Sequence, residues 1–372
     1  MISDADADGY TSSAILINYL HDLFPTYVET KLEYGIHENK EHGLSDQIDY
    51  LESQDYALVI IPDAGTNDVE YCKRLFDKGT AAIILDHHIQ DRDNPYAIII
   101  NSQNDYPNKE LSGAGVTWQF CRYIDSLLNT SYADDYIDLA CLGDCGDMQD
   151  MRSLETKEII REGIENIKNP FFYYMVEKNS YSIGSTITPT SLSFYIVPFI
   201  NAIVRSGTLE EKQLIFKSML KHEAFKEVPS TKRGHDFGET EKVVEQAIRV
   251  ATNVKARQTK VQNSMMSLFE NMIDEQHLLD HKVLLFKMEP GQIDRNIAGL
   301  CANKIMAKYQ RPTCILTKVT NEDGQVSYQG SMRGCDIVGV SNFKDICEAT
   351  GEILYCAGHE SAAGLGIAAD HI

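Results

Sequence analysis

Acidic residues stand at alternate positions at the start of the sequence, in "MISDADADGYTSSAIL", as Asp4, Asp6 and Asp8. Like charges this close repel, so the run makes sense where all three carboxylates face water or where a cation lies among them. An EF-hand calcium loop does not fit, because the twelfth position counted from Asp4 is Ala14 and not the bidentate Glu.

Further carboxylates and imidazoles follow other predicted elements. Asp63 comes after "LVIIP", and the "DHH" run, Asp86 to His88 with His87 between them, comes after "AAIIL". A later acidic pair, Asp144 and Asp147, follows the helix-like "YIDLACLG". A single Asp after a strand is by itself an ordinary turn residue. Since the carboxyl ends of parallel strands form one crevice, we expect these groups to converge. Oxygen ligands with one or two His predict Mn²⁺ or Mg²⁺ ahead of Zn²⁺.

The elements that must position these groups alternate along the first half of the chain. "YALVIIP" (Tyr56–Pro62), "AAIILDHH" (Ala81–His88) and "YAIIIN" (Tyr96–Asn101) are typical of buried strands, and a helix is predicted between the first two. This spacing predicts a parallel α/β sheet. Residues 154–221 are predicted to be mostly helical. Residues 239–274 contain no Gly or Pro and predict one long connecting helix, and a smaller α/β domain follows it.

Composition restricts the class of protein. The chain has 372 residues and a net charge of −21, which argues against broad attraction to a phosphate backbone but leaves a local basic groove or bound metal open. It has no apolar run of about 18 residues, so no membrane partner is expected. Nine scattered cysteines without a CxxC pair, and no secretory signal, favour reduced thiols in the cytoplasm.

Taken in order, the motifs resemble those of the DHH phosphoesterase superfamily, and most closely its RecJ-like exonuclease branch. "DADADGYTS", "IPDAG", "LDHH", "LSGAGVTWQF" and "LGDCGDM" resemble segments of the DHH domain, and "VPFINAIVRSG" resembles the RecJ-type P-x-x-N-A-x-G-R stretch, with Val204 in place of its Gly. "GSMRG" and "AGHESAAG" resemble the DHH-associated domain. The resemblance implies an α/β fold in three parts: a parallel-sheet DHH catalytic domain with a helical extension (1–230), a long connecting helix (231–276) and a smaller α/β DHH-associated domain for substrate binding (277–372).

The resemblance, together with the strand-end argument, implies a site with two Mn²⁺ ions, Mg²⁺ being the alternative. Two ions about 3.5–4 Å apart would activate a water and hold phosphoryl oxygens. Asp63 is the expected bridging ligand, and Asp4 is expected to complete one ion's shell directly or through water; the implied ligands are Asp4, Asp6, Asp8, Asp63, His87 and Asp147.

Other residues are expected to orient ligands or hold the substrate. Asp86 is expected to orient a liganding His, and His88 to face the scissile phosphate, with a supporting hydrogen bond as the alternative for His88. Asn201 and Arg205, spaced i, i+4, would present an amide and a guanidinium to a phosphate, unless Arg205 is an ordinary surface residue. The second domain is expected to bind substrate through Ser331, Arg333, Gly358 and His359.

The first functional hypothesis is a 5′-to-3′ exonuclease on single-stranded DNA. The alternative is a phosphodiesterase of short oligoribonucleotides or cyclic dinucleotides, and a ligand-free nucleic-acid-binding scaffold is disfavoured because every ligand position is filled. The strand expected before the first motif is almost absent, so we expect a fragment or a start site assigned too late. The oligonucleotide-binding barrel of RecJ is not expected here. His37, His42 and His281 are interpreted as surface or loop residues, and Trp118 as core.

Overall fold

Parallel strands form the centre of the first of two units in this computed structural model, which describes residues 1–39, 41–321 and 323–372. The units are Met1–Lys255 and Ala256–Ile372. The strands of the first unit are β1 (Ile2–Ser3), β2 (Gly35–Ile36), β3 (Leu58–Pro62), β4 (Ala81–Asp86), β5 (Ile98–Asn101), β6 (Glu227–Pro229) and β7 (Thr240–Lys242). Sheet β3-β4-β5 is parallel, with Leu58 opposite Ala81 and Ile83 opposite Ile98.

The predicted parallel sheet is therefore confirmed, with shorter strands than the apolar runs indicate. β4 ends at Asp86, so His87 and His88 lie beyond the strand. β1 pairs in parallel with β2, and β6 pairs with β7 antiparallel. The strand before the first motif is the two-residue β1, which leads directly into the acidic run.

Helices make up most of the rest of the first unit. They are α1 (Ala7–Leu23), α2 (Pro25–Lys31), α3 (Ile48–Ser53), α4 (Val69–Lys78), α5 (Gly113–Leu128), α6 (Ile137–Gly146), α7 (Leu154–Glu165), α8 (Pro170–Lys178), α9 (Ser180–Ile183), α10 (Pro189–Tyr195), α11 (Val197–Ser206) and α12 (Leu209–Met219). α1 is buried continuously from Ala7 to Tyr19, and it shares one apolar core with α5 and α6, in which Trp118 is buried as expected. A helix buried on every side is held rigidly, so its first residues are well placed to carry a site.

The long helix α13 (Val243–Glu275) begins in the first unit and ends in the second. Its early apolar residues, such as Val244 and Ala251, belong to the core of the first unit, and Phe269 and Ile273 belong to a core of the second. Each half therefore buries its apolar face in a different core, which accounts for a helix of this length.

The second unit contains a five-stranded mixed sheet in the order β11-β12-β10-β9-β8. β8 and β9 are parallel and the other pairs are antiparallel. Its elements are β8 (Leu284–Met288), α14 (Arg295–Tyr309), β9 (Thr313–Thr320), β10 (Val326–Arg333), α15 (Phe343–Glu348), β11 (Ile353–His359) and β12 (Ala362–Ala368). This confirms a second α/β unit after the long helix. Within the described residues, no helix has the length and apolar character that a bilayer crossing needs.

Candidate active site

The acidic and imidazole groups predicted from the sequence converge in the first unit, at the carboxyl ends of β3 and β4. Side-chain ligand atoms lie within 4.8 Å of one another in three overlapping groups: Asp63, Asp86, His87 and His88; Asp8, His87 and Asp147; and Asp4, Asp6 and Asp63. The start of α1, the end of α6 and the two strand ends thus bring together carboxylates that are far apart in sequence.

His87 lies at the centre of the convergence. Its Nε2 is 3.3 Å from Asp63 Oδ1, 3.6 Å from Asp147 Oδ2 and 3.7 Å from Asp8 Oδ2. Carboxylate oxygens and an imidazole nitrogen that face one point are a donor set suited to a divalent cation.

Asp63 is the most constrained of these carboxylates. It has a φ of +68°, a left-handed conformation that Asp tolerates better than most residues, and its N–H donates to Leu85 O at 2.7 Å. Burial, reinforced by Asp8 and Asp6, raises the pKa of Asp63 well above its usual range. Its buried Oδ1 accepts no hydrogen bond of good geometry from the described residues, although His87 Nε2 lies 3.3 Å away. An unsatisfied carboxylate oxygen in an acidic cluster fits a cation, which would supply the missing partner.

Asp8 is held by the first turn of α5. The N–H of Gly113 donates to Asp8 Oδ2 at 2.6 Å, and the N–H of Ala114 donates to Oδ1 at 3.0 Å. Burial raises the pKa of Asp8 to about 6, and the nearby His87 opposes that rise. The positive end of the helix dipole also favours a carboxylate here. The "LSGAGV" segment therefore orients a predicted metal ligand through backbone N–H groups.

Asp86 forms a hydrogen-bonded pair with His88. Asp86 Oδ1 accepts from His88 Nδ1 at 2.8 Å and from the backbone N–H of His87 at 2.7 Å. Burial acts to raise the pKa of Asp86, but the hydrogen bond and charge of His88, together with Thr66 and His87, outweigh it, and the pKa is lowered overall. The same bond raises the pKa of His88 to about 9. Asp86 therefore orients the ring of His88. Its contact with His87 is a hydrogen bond from the backbone N–H and not from the ring.

Asp4 and Asp6 have different surroundings. Asp6 caps α1, because its Oδ1 accepts from the N–H of Gly9 at 3.0 Å. Asp4 is buried, and its Oδ2 lies 2.6 Å from His42 Nδ1 while its Oδ1 accepts from the N–H of Gly43 at 3.3 Å. Burial raises the pKa of Asp4 and the His42 contact opposes that rise.

Two histidines interpreted from the sequence as surface or loop residues have defined partners. His42 contacts Asp4, as described above, although its side chain is half exposed. His37 is 1% exposed, and its Nδ1 lies 2.8 Å from Asp46 Oδ1. His37 lies in a loop, as one of the two alternatives had it, but it is buried and not at the surface. No local pattern in the sequence marks either contact, because both depend on the tertiary fold.

The predicted phosphate-binding pair lies on α11. Asn201 and Arg205 are one turn apart and half buried. Burial lowers the pKa of Arg205, and the nearby Asp6 carboxylate opposes this. Arg205 is therefore close enough to Asp6 to add a positive charge beside the acidic cluster.

The predicted substrate-binding residues of the second unit lie on adjoining strands. Arg333 on β10 and His359 on β11 both pair in register with Ala362 of β12, while Ser331 pairs with Gly364 and Gly358 with Ala363. The guanidinium of Arg333 lies against α14, where a Cβ on Gly299 would come within 2.5 Å of Nη2. The side chain of His359 lies outside the described part of the structure.

Comparisons with known proteins agree with this geometry. Residues 1–143 match the model of the DHH family, N-terminal domain. The chain is 36% identical over 366 residues to YorK, a prophage-derived protein of Bacillus subtilis (strain 168) named as a single-strand DNA-specific exonuclease, across 98% of this chain and 62% of YorK. It is 24% identical to the single-stranded-DNA-specific exonuclease RecJ of Bacillus subtilis (strain 168), across 99% of this chain and 43% of that protein. The chain thus spans less than two thirds of the length of either relative.

The fold is also that of solved RecJ structures. A crystal structure of the exonuclease RecJ bound to manganese matches with a TM-score of 0.71 at 19% identity, over 98% of this chain and 84% of that one. RecJ from Thermus thermophilus in complex with Mn²⁺ matches with a TM-score of 0.71, over 98% of this chain and 49% of that one. The matched residues 1–143 contain the convergence of Asp8, Asp63 and His87. Residues 1–143 thus match the N-terminal domain of the DHH family, and the chain is homologous to the RecJ-like exonucleases along nearly its whole length.

Proposed function

We propose that this protein is a metal-dependent phosphodiester hydrolase that removes nucleotides from single-stranded DNA in the 5′-to-3′ direction. The observation that carries the proposal is the convergence of Asp8, Asp63 and Asp147 within 3.7 Å of one imidazole nitrogen of His87. The activity named for YorK and RecJ supports the choice of single-stranded DNA.

The proposed cofactor is a pair of Mn²⁺ ions, with Mg²⁺ as the alternative. Such ions, when bound, would lower the pKa of a water and neutralise charge on phosphoryl oxygens. Three groups of ligand atoms within 4.8 Å support more than one cation position, and Asp63 belongs to two of these groups, which supports its proposed role as the bridging ligand. The orphaned Asp63 Oδ1 supports the same assignment.

Positively charged side chains of the protein are proposed to bind the phosphates of the substrate. His88 is held in its charged form by Asp86 and leaves half of its side chain exposed beside the cluster. A charged imidazole there can donate a hydrogen bond to a phosphate oxygen. Arg205 beside Asp6 is proposed to act on the same phosphate or its neighbour. We also propose that residues 277–372 hold the rest of the strand, through Arg333 and Ser331 of β10.

The wider context belongs to the same proposal. By the resemblance, the proposed activity serves DNA repair and recombination, and its proposed location is the cytoplasm. The nine cysteines are all unpaired thiols in the structure, which is consistent with a reducing compartment.

The test is a digestion assay in Mn²⁺ that compares 5′-labelled single-stranded DNA, a dinucleotide RNA and a cyclic dinucleotide. We expect mononucleotides from the DNA, no product with EDTA, and no activity in D63N. The matched control D134N changes an exposed Asp of the turn Tyr132–Tyr136 and should behave as wild type. Untouched DNA with rapid loss of either dinucleotide would replace the proposal by the short-substrate phosphodiesterase. Full activity of D63N would remove Asp63 from the mechanism.

A further inference from the structure

The end of α6 forms a turn that brings one more side chain to the acidic cluster. The N–H of Asp147 donates to Gly143 O at 2.9 Å, and the N–H of Gln149 donates to Asp144 O at 3.0 Å. Between them, Met148 has a φ of +56°, the left-handed position at which such helix ends usually have Gly. This turn directs Gln149 back toward Asp147.

The amide of Gln149 contacts two predicted metal ligands that come from distant parts of the chain. Its Nε2 donates to Asp147 Oδ2 at 2.8 Å and lies 3.5 Å from His87 Nδ1. His87 follows β4, and Asp147 ends α6. Gln149 therefore joins the strand-end ligand to the helix-end ligand.

Both ligands have a reason to need support. The side chain of Asp147 is 35% exposed, against 2% for both Asp8 and Asp63, so packing restricts it less than it restricts those two. His87 turns Nε2 toward the carboxylates and leaves Nδ1 facing Gln149. An imidazole that binds a metal through one nitrogen needs a partner for the other, which fixes the ring. When Nε2 of His87 binds a cation, Nδ1 carries the ring proton and needs an acceptor. The amide of Gln149 has an acceptor, Oε1, besides the Nε2 that donates to Asp147, so it can bond both ligands once Oε1 turns toward the ring.

We propose that Gln149 is a positioning residue of the metal centre, which holds the carboxylate of Asp147 and the ring of His87 in the orientation that cation binding requires. This inference rests on the proposed function, because it concerns the same site. It predicts that the amide contributes to cation affinity without contributing to the fold, since Gln149 lies after α6 and is only half buried.

The experiment measures Mn²⁺ binding by isothermal titration calorimetry, and the melting temperature of the metal-free protein, for wild type, Q149M and Q54M. Methionine keeps the length of the side chain and removes the amide. Gln54 is a matched control, because it is also half buried and bonds Ser53, but it precedes β3 at the end of the strand away from Asp63. We expect Q149M to bind Mn²⁺ about 10- to 100-fold more weakly, with the metal-free melting temperature unchanged and Q54M equal to wild type.

Each other outcome is decisive. If wild type takes up no Mn²⁺, the proposed metal centre itself fails. If wild type binds and Q149M binds equally well, this inference alone fails. A loss of affinity in Q149M that comes with a lower metal-free melting temperature assigns Gln149 a structural role and also overturns the inference. As a further check, Q149M should lose part of its effect in a D147N background, because that part of its action passes through the Asp147 carboxylate.

Discussion

Replacing Gly113 by alanine tests the placement of Asp63 directly. A Cβ on Gly113 would lie 2.6 Å from Asp63 Cβ and 2.7 Å from Asp63 Cα, and closer still to Oδ1. The carbon atoms cannot rotate away, because they belong to the backbone and the first side-chain carbon of a residue held in a left-handed conformation. Ordinary contacts between carbon atoms are about 3.5–4.0 Å. Asp63 or the start of α5 must therefore move by about 1 Å.

This displacement has two measurable costs. Overpacking of a filled interior costs about 1–3 kcal/mol of stability. The same movement shifts Asp63 relative to His87 and stretches the 2.6 Å hydrogen bond from Gly113 to Asp8. A misplacement of about 1 Å at a reacting centre can lower a rate about 100-fold. We expect G113A to show both effects.

The assay combines thermal unfolding with Mn²⁺ titration and the single-stranded DNA digestion. The control is G79A, at the end of α4, where the φ is +88° and no atom lies within 4 Å of the added Cβ. That substitution also costs about 1–2 kcal/mol, through backbone strain alone, but it does not touch the site. G79A should unfold at a lower temperature than wild type but keep its activity. G113A should lose both thermal stability and activity. Wild-type stability and activity in G113A would refute the close approach of α5 to Asp63.

Three further predictions follow from the electrostatics of the site. Burial raises the pKa of Asp63, so metal-free wild type should lose stability as the pH rises above the ordinary carboxyl value of about 4; D63N should lose less in chemical denaturation, and equal pH profiles would contradict this. The hydrogen bond from Asp86 raises the pKa of His88 to about 9, so the stability from this pair is present below the unfolded value of about 6.5 and lost as the pH rises through 9; in D86N, NMR titration of the His88 ring should give a pKa near 6.5, and an unchanged value would show that another group holds the proton. R205K should raise the KM for single-stranded DNA about tenfold, because a lysine cannot offer the same paired donors, with Mn²⁺ affinity unchanged; a parallel loss of Mn²⁺ affinity would place Arg205 in the metal centre instead.

Much of the frame of this protein follows from local patterns in its sequence. The Ile- and Val-rich runs predict β3, β4 and β5, because such residues favour strands, although Leu58 of β3 and Ile98 of β5 are exposed and these strands are not covered on both faces throughout. The parallel order then places the residues after β3 and β4 at one edge. For this reason the sequence alone predicts that Asp63 and His87 meet. The 33-residue α13 was also predictable, because its segment contains no residue that ends a helix.

The partners of the ligands depended on the tertiary structure. Asp86 pairs with the ring of His88, while His87 turns its ring toward the carboxylates; the two histidines are adjacent in sequence, so spacing cannot assign them. His42 and Asp4 are 38 positions apart, so only the tertiary structure brings them together.

The sequence by itself determined which residue types stand at the ends of the strands, since apolar periodicity and helix-ending signals are local properties of the chain. The tertiary structure decided which atom of each side chain faces which neighbour. The backbone N–H groups of α5 that hold Asp8, and the left-handed Met148 that turns Gln149 toward Asp147, are examples. Such contacts depend on the packing of elements that are remote in sequence. A change of about 1 Å in that packing turns a hydrogen bond into a steric clash, so local patterns cannot predict these contacts.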